Sequence, residues 1–195
     1  MKQHLNTILS AVLTGGLLLV AGCVLTSVYP YYTAKDVTFE PKLVGRWADP
    51  DKPDATNEFW EFTRADTNDF YTLTVHDTEK QTTFQAHLFR LKQWTFLDAL
   101  PTEEHDDFVP PHYLLKVTQF EPSLKMTVLD YKWLSELLEK QPGALRHLHV
   151  NARSSESGSG RLVLTANTAE LQKFILKHAG DTNAFTEGFT LKRKL

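Results

Sequence analysis

The 195-residue sequence predicts a mainly β domain, an antiparallel barrel or a strongly curled meander, with two helices in its second half. Three observations carry this. Short runs with apolar residues at every second position follow one another from Leu43 onward, the period of a half-buried strand. Most connections between them are brief and rich in Asp, Asn, Pro or Thr, as tight turns require. Apolar residues at helical spacing appear only beyond Asp130. Eight or more short strands joined in this way favour closure, because a closed sheet leaves no unpaired edge.

The chain opens with Lys2 in a short polar head, followed by a mainly apolar segment from Ile8 to Gly22. That is the length of a secretory leader and shorter than the ~20 apolar residues of a membrane span. It closes on Val20-Ala21-Gly22-Cys23, which resembles the lipobox of bacterial lipoproteins. The resemblance implies that residues 1–22 are a signal peptide and that Cys23, carrying acyl chains such as palmitate, becomes the new N-terminus. The other reading of Cys23 is a small apolar residue in an ordinary leader or an N-terminal membrane helix. Two or three acyl tails, at ~0.8 kcal/mol per buried CH₂, anchor a protein stably where one is marginal. The same resemblance implies that Val24, in place of an Asp after the cysteine, permits sorting to the outer membrane, on the periplasmic side. Residues 23–36 then read as lipidated N-terminus and tether, and 37–195 as one globular domain. Tyr29, Tyr31 and Tyr32 have two destinations open to them, the bilayer interface or the surface of the domain.

The first strand is Leu43–Trp47. In the second, Glu58–Arg64, Trp60 and Phe62 share one face; in the third, Phe70–Asp77, Tyr71, Leu73 and Val75 do. Thr82–Leu91 places Phe84, Ala86 and Leu88 against Gln85 and His87, and Gln93–Leu100 follows after a very short turn. The acidic stretch 101–111 is a long loop. His112–Phe120, with Tyr113, Leu115 and Val117 on one face, and Glu121–Asp130 resume the series. Asp130 is the N-cap of a helix that Pro142-Gly143 stops, with Trp133, Leu134, Leu137 and Leu138 on one face. Arg146–Val150 is a short strand, and a Ser- and Gly-rich connection leads to Arg161–Ala166. Asn167 and Glu170 are spaced as a capping box before a helix with Leu171, Phe174 and Ile175 inward and Gly180 at its end. Gly188–Lys194 is a closing edge strand whose basic residues discourage edge pairing.

Gly45-Arg46-Trp47 resembles the GxW signature of lipocalin and calycin barrels, which implies a lipocalin-like barrel with Trp47 plugging its narrow end. The later lipocalin motifs are missing. With Leu88-Phe89-Arg90-Leu91, Phe96-Leu97-Asp98 and Leu164 to Gln172, the chain is also similar to a family of bacterial lipoproteins of uncharacterised activity.

A balance of 21 Lys+Arg against 24 Asp+Glu gives no basic stripe, so nucleic acid is not an expected partner. With its one cysteine lipidated, the mature chain has no thiol for a disulfide, and about 170 residues must be stabilised by their core alone. The catalytic and phosphate-binding motifs GxSxG, Walker loop, dinucleotide fingerprint and HExxH are absent, and Gly158-Ser159-Gly160 reads as a flexible loop. His147 and His149 share a face of a strand and would need a third ligand to hold a metal; Leu148 and Val150 are expected on the apolar side, leaving the histidines to solvent. The run Glu103–Asp107 lacks the alternation of a calcium loop and reads as solvated. Asp98 is either a half-buried carboxylate paired with Lys92 or a turn, or a catalytic acid. No catalytic residue, metal centre or cofactor is expected.

Aromatic residues crowd the first half of the domain. Trp47, Trp60, Phe62, Phe84 and Tyr113 are the candidates for a barrel plug or the wall of a ligand pocket. The sequence thus points to a lipid-anchored, non-enzymatic envelope protein, structural or interacting with another envelope component. The alternative is a carrier of a small hydrophobic ligand. A hydrolase or metal enzyme would need His87, Asp98 and Glu61, or three similar groups, to converge in a cleft.

Overall fold

The computed structural model describes residues 25–52, 54–65, 70–103, 111–150 and 161–194. Its strands are β1 (Thr26–Ser27), β2 (Gly45–Ala48), β3 (Phe59–Arg64), β4 (Tyr71–His76), β5 (Gln81–Leu91), β6 (Trp94–Pro101), β7 (His112–Gln119), β8 (Ser123–Leu129), β9 (His147–Val150), β10 (Arg161–Leu164) and β11 (Phe185–Arg193). Two helices, α1 (Tyr131–Lys140) and α2 (Thr168–His178), lie between β8 and β11. Strands β2 to β8 pair in sequence order as an antiparallel meander, and β11 pairs with both β8 and β2. The result is a closed eight-stranded antiparallel barrel.

Closure revises the reading of the last strand. β11 is not an edge: its Lys192 lies opposite both Ala48 and Ser123, so its basic residues stand in a doubly paired strand. The first strand is also shorter than expected, because Leu43 belongs to a 3₁₀ turn, Pro41–Leu43, and β2 begins at Gly45.

The segment read as a tether is part of the fold. β1 is antiparallel to β7, with Ser27 opposite His112, and parallel to β10, which pairs with β9. From there the chain runs down the outside of the barrel, where Val37 bridges to Phe89 and Thr38 N–H donates to the Leu88 carbonyl at 2.8 Å. Tyr31 is fully buried, Tyr32 partly covered and Tyr29 47 % exposed, so the three tyrosines part company. The ordered domain therefore begins no later than Leu25.

Two cores result from the alternation of side chains. Inside the barrel lie Trp47, Trp60, Phe62, Tyr71, Leu73, Phe84, Leu88, Leu97, Tyr113, Leu115, Leu124, Met126 and Phe189, among others. Outside it, Phe89, Leu91, Phe96, Leu114 and Phe185 pack under Leu134 and Leu138 of α1 and Leu171, Phe174 and Ile175 of α2. Each large apolar side chain buried this way stabilises by ~1.5–3 kcal/mol, so two stacked layers can hold the fold without a disulfide. Because helices cover their outer face, β6 and β7 are buried on both sides: Phe96, Leu97, Asp98 and Ala99 are all inaccessible in succession. Both helices are capped as their sequences specify. Asp130 accepts from Trp133 N–H at 2.7 Å, and Asn167 and Glu170 form a reciprocal box.

Candidate functional site

The five candidate pocket residues Trp47, Trp60, Phe62, Phe84 and Tyr113 all lie in the interior cluster. Four of them meet other rings: Trp60 and Phe189 are 4.7 Å apart between centroids, Phe62 and Tyr71 6.3 Å, Phe84 and Tyr113 6.2 Å. An eight-stranded barrel is just wide enough for side chains to fill, and these rings occupy it.

Trp47 sits at the end of the barrel that also carries the tip of β11. Its indole N–H donates to the Leu43 carbonyl at 2.8 Å, and the Arg193 guanidinium lies over its ring at 4.6 Å. The same guanidinium donates to the carbonyls of Val44 and Lys42, at 2.9 and 2.8 Å, and so ties the 3₁₀ turn across this end. Gly45 makes the approach feasible: its φ of +127° is one that residues with a Cβ rarely adopt, and a Cβ there would stand 2.5 Å from Arg193 Nη1. Outside the plug lies a shallow depression of about 480 Å³ lined by Trp47, Glu121, Pro122 and Arg193. A second, of about 390 Å³, opens on the outer surface among Thr118, Lys125, Thr182 and Thr190.

The densest polar grouping lies elsewhere, on the outer face of β5, β6 and β7. Asp98 is completely buried, and His87 is its cross-strand partner. The Asp98 carboxylate accepts the Tyr31 backbone N–H at 2.9 Å and lies 2.7 Å from His112 Nδ1. A carboxylate oxygen only accepts, so the shared proton is assigned to Nδ1. Beside this pair, Tyr32 stacks on His87 at 4.2 Å, with its hydroxyl 3.2 Å from Nε2. Burial lowers the His87 pKa, against the pull of Asp98 and with a smaller push from His112. Burial and then the Asp98 charge push Tyr32 up to about 12, and the same two causes hold the Tyr31 phenol protonated.

A carboxylate that orients an imidazole is the supporting half of an acid–base relay. Here its partners are those of a clasp, since the groups it binds are the entering N-terminal segment and the first residue of β7. Asp98 is thus neither half-buried nor paired with Lys92, which occupies the turn after β5 with φ 54°. His87 and Asp98 do meet, but Glu61 stands apart on β3, ion-paired with Arg46 at 2.8 Å and 3.9 Å from His76. Glu61 is not part of this cluster, which brings His112 and Tyr32 beside His87 and Asp98 instead.

A second buried charge escaped notice in the sequence. Lys116 on β7 donates to the carbonyl of Ala179 after α2 at 2.8 Å and faces the rings of Trp94 and Phe185, with burial lowering its pKa. It satisfies a carbonyl at a helix C-terminus, where a cation is favoured.

On β9 the side expected to be apolar and covered is open: Leu148 is 58 % exposed. His149 is exposed and His147 half-buried, opposite the buried Leu162 and Leu164 of β10. β9, the outer strand of the sheet, exposes residues on both faces, and β10 supplies the buried leucines. The two imidazoles are 5.1 Å apart, and among the described residues no set of three His, Cys, Asp or Glu is arranged to hold a metal. Cys23, Glu104–Asp107 and Gly158–Gly160 lie outside the described residues. Among the described residues no helix is long and apolar enough to cross a membrane. In comparison with known proteins, the chain matches no family model, no curated protein and no solved structure.

Proposed function

We propose that this protein is a lipid-anchored component of the bacterial cell envelope whose barrel is a non-enzymatic structural or interaction module. The observation that carries the reading is the interior: large rings from β2, β3, β5, β7 and β11 occupy it, so a partner would meet the outer surface. The leader ending in Cys23 supports the anchor, and the position of Trp47 at a covered end of the barrel agrees with what the lipocalin-like GxW resemblance implies. Anchoring at the outer membrane, on its periplasmic side, belongs to the same proposal.

A second reading, the carrier of a small hydrophobic molecule, rests on the depression outside Trp47. It is bordered by Arg193 and Glu121, which suits an amphiphile with a polar head better than a buried hydrocarbon. Titration of the full chain with a fluorescent fatty acid separates the two. The module reading predicts no saturable binding. One-to-one binding that Arg193→Gln weakens would favour the carrier instead.

A further inference from the structure

The chain enters the fold at a defined place. Leu25 is buried, and Thr26 and Ser27 are locked between β7 and β10, so no slack follows residue 25. Cys23 stands two residues earlier, and at no more than ~3.6 Å per residue its Cα lies within about 7 Å of that of Leu25. A lipid on Cys23 would therefore bring the β1–β10–β9 extension against the membrane rather than suspend the barrel on a tether.

The extension carries the apolar residues for such a contact. Among the described residues the exposed large apolar side chains are Val28, at 37 %, Tyr29, at 47 %, and Leu148, at 58 %. Single exposed apolar residues need no explanation, but these belong to the segment that follows β1 and to β9, at the point where the chain emerges. Thr26 lies opposite Val163, and Val163 opposite Leu148. Val28 N–H continues the ladder to the Leu164 carbonyl at 3.0 Å, so the period of two puts Val28 on the same face as Leu148, two strands or about 10 Å across. Tyr29 adds an amphipathic ring of the kind that settles among lipid headgroups.

We infer that the β1–β10–β9 extension rests on the lipid bilayer beside the anchored Cys23, with Val28, Tyr29 and Leu148 entering the headgroup region. The inference rests on the lipid-anchor reading and adds an orientation to it. The barrel end carrying Trp47 and Glu121 then points away, because β7 begins at the extension with His112 and ends at Gln119, beside the turn that holds Glu121.

The test uses the full chain, expressed in bacteria and reconstituted into protein-free vesicles of phosphatidylethanolamine and phosphatidylglycerol. An environment-sensitive fluorophore is placed at Leu148→Cys or, as the distal control, Glu121→Cys. Both positions are exposed, and with Cys23 acylated each variant has a single free thiol. The expected result is blue-shifted emission at position 148 and quenching by lipid-borne quenchers several-fold stronger than at 121. Vesicle-bound protein with both labels equally open to aqueous iodide overturns the orientation and leaves the anchor standing. Protein that fails to float with the vesicles overturns the anchor, and this inference with it.

Discussion

The carboxylate of Asp98 on β6 accepts the backbone N–H of Tyr31, 67 residues earlier in the chain, at 2.9 Å in a fully buried setting. This contact, with the His112 imidazole on the same carboxylate, joins the N-terminal segment to the barrel wall.

Asp98→Ala leaves two donors without their acceptor. At ~1–3 kcal/mol for each buried unsatisfied group, the domain should lose about 2–6 kcal/mol, read from the urea midpoint. The Tyr31 amide should also exchange with solvent faster than the amides of β4. Unchanged exchange at Tyr31 would mean that β1 alone holds the segment.

The plugged end predicts a second pair of outcomes. Trp47→Ala should cost ~3–5 kcal/mol as a core truncation. Gly45→Ala should also destabilise, because it forces a Cβ into a positive φ and against Arg193. An unchanged unfolding midpoint in the first variant would remove Trp47 from the core.

Stability should fall as the solution is acidified from about pH 7.5 to 5. Burial holds the pKa of His87, and of His178 on α2, below the ordinary imidazole value of ~6.5. In that window the unfolded chain binds more protons than the folded one. The stabilisation is therefore complete above ~6.5 and is lost as pH drops toward the folded-state values. His87→Gln should flatten the slope of melting temperature against pH, and His87→Gln with His178→Gln should flatten it further. A wild-type slope in the double variant would place the titrating groups elsewhere.

Cys23→Ser should take up no radioactive palmitate and leave either an unprocessed chain that keeps its leader or a protein that no longer partitions with membranes. Normal incorporation of label in this variant would remove the anchor.

Much of the barrel was legible because half-buried strands alternate. Tyr71, Leu73 and Val75 against Thr72, Thr74 and His76 identify β4 unaided. The two-residue β1 is too short to show any period, so the segment around Tyr31 read as a tether. The Asp98–His112 pair was hidden by topology, since its members meet only when β6 and β7 pair across the loop between them. A signal was nevertheless present: the unbroken apolar runs around Phe96-Leu97 and Tyr113-Leu114-Leu115 mark strands covered on both faces, where a lone Asp or Lys needs a partner. The edge assignment of β11 failed for a different reason. Lys192-Arg193-Lys194 looked like edge protection, while Arg193 is the clamp on Trp47.

A filled barrel on a lipid anchor is tested by native mass spectrometry of the full chain, purified from bacterial membranes in mild detergent and stripped of the micelle in the gas phase. The expected result is a single species with the mass of residues 23–195 plus the acyl groups on Cys23, and nothing else retained. A mass corresponding to all 195 residues would contradict the anchor, and a reproducible added mass lost in organic solvent would contradict the filled barrel.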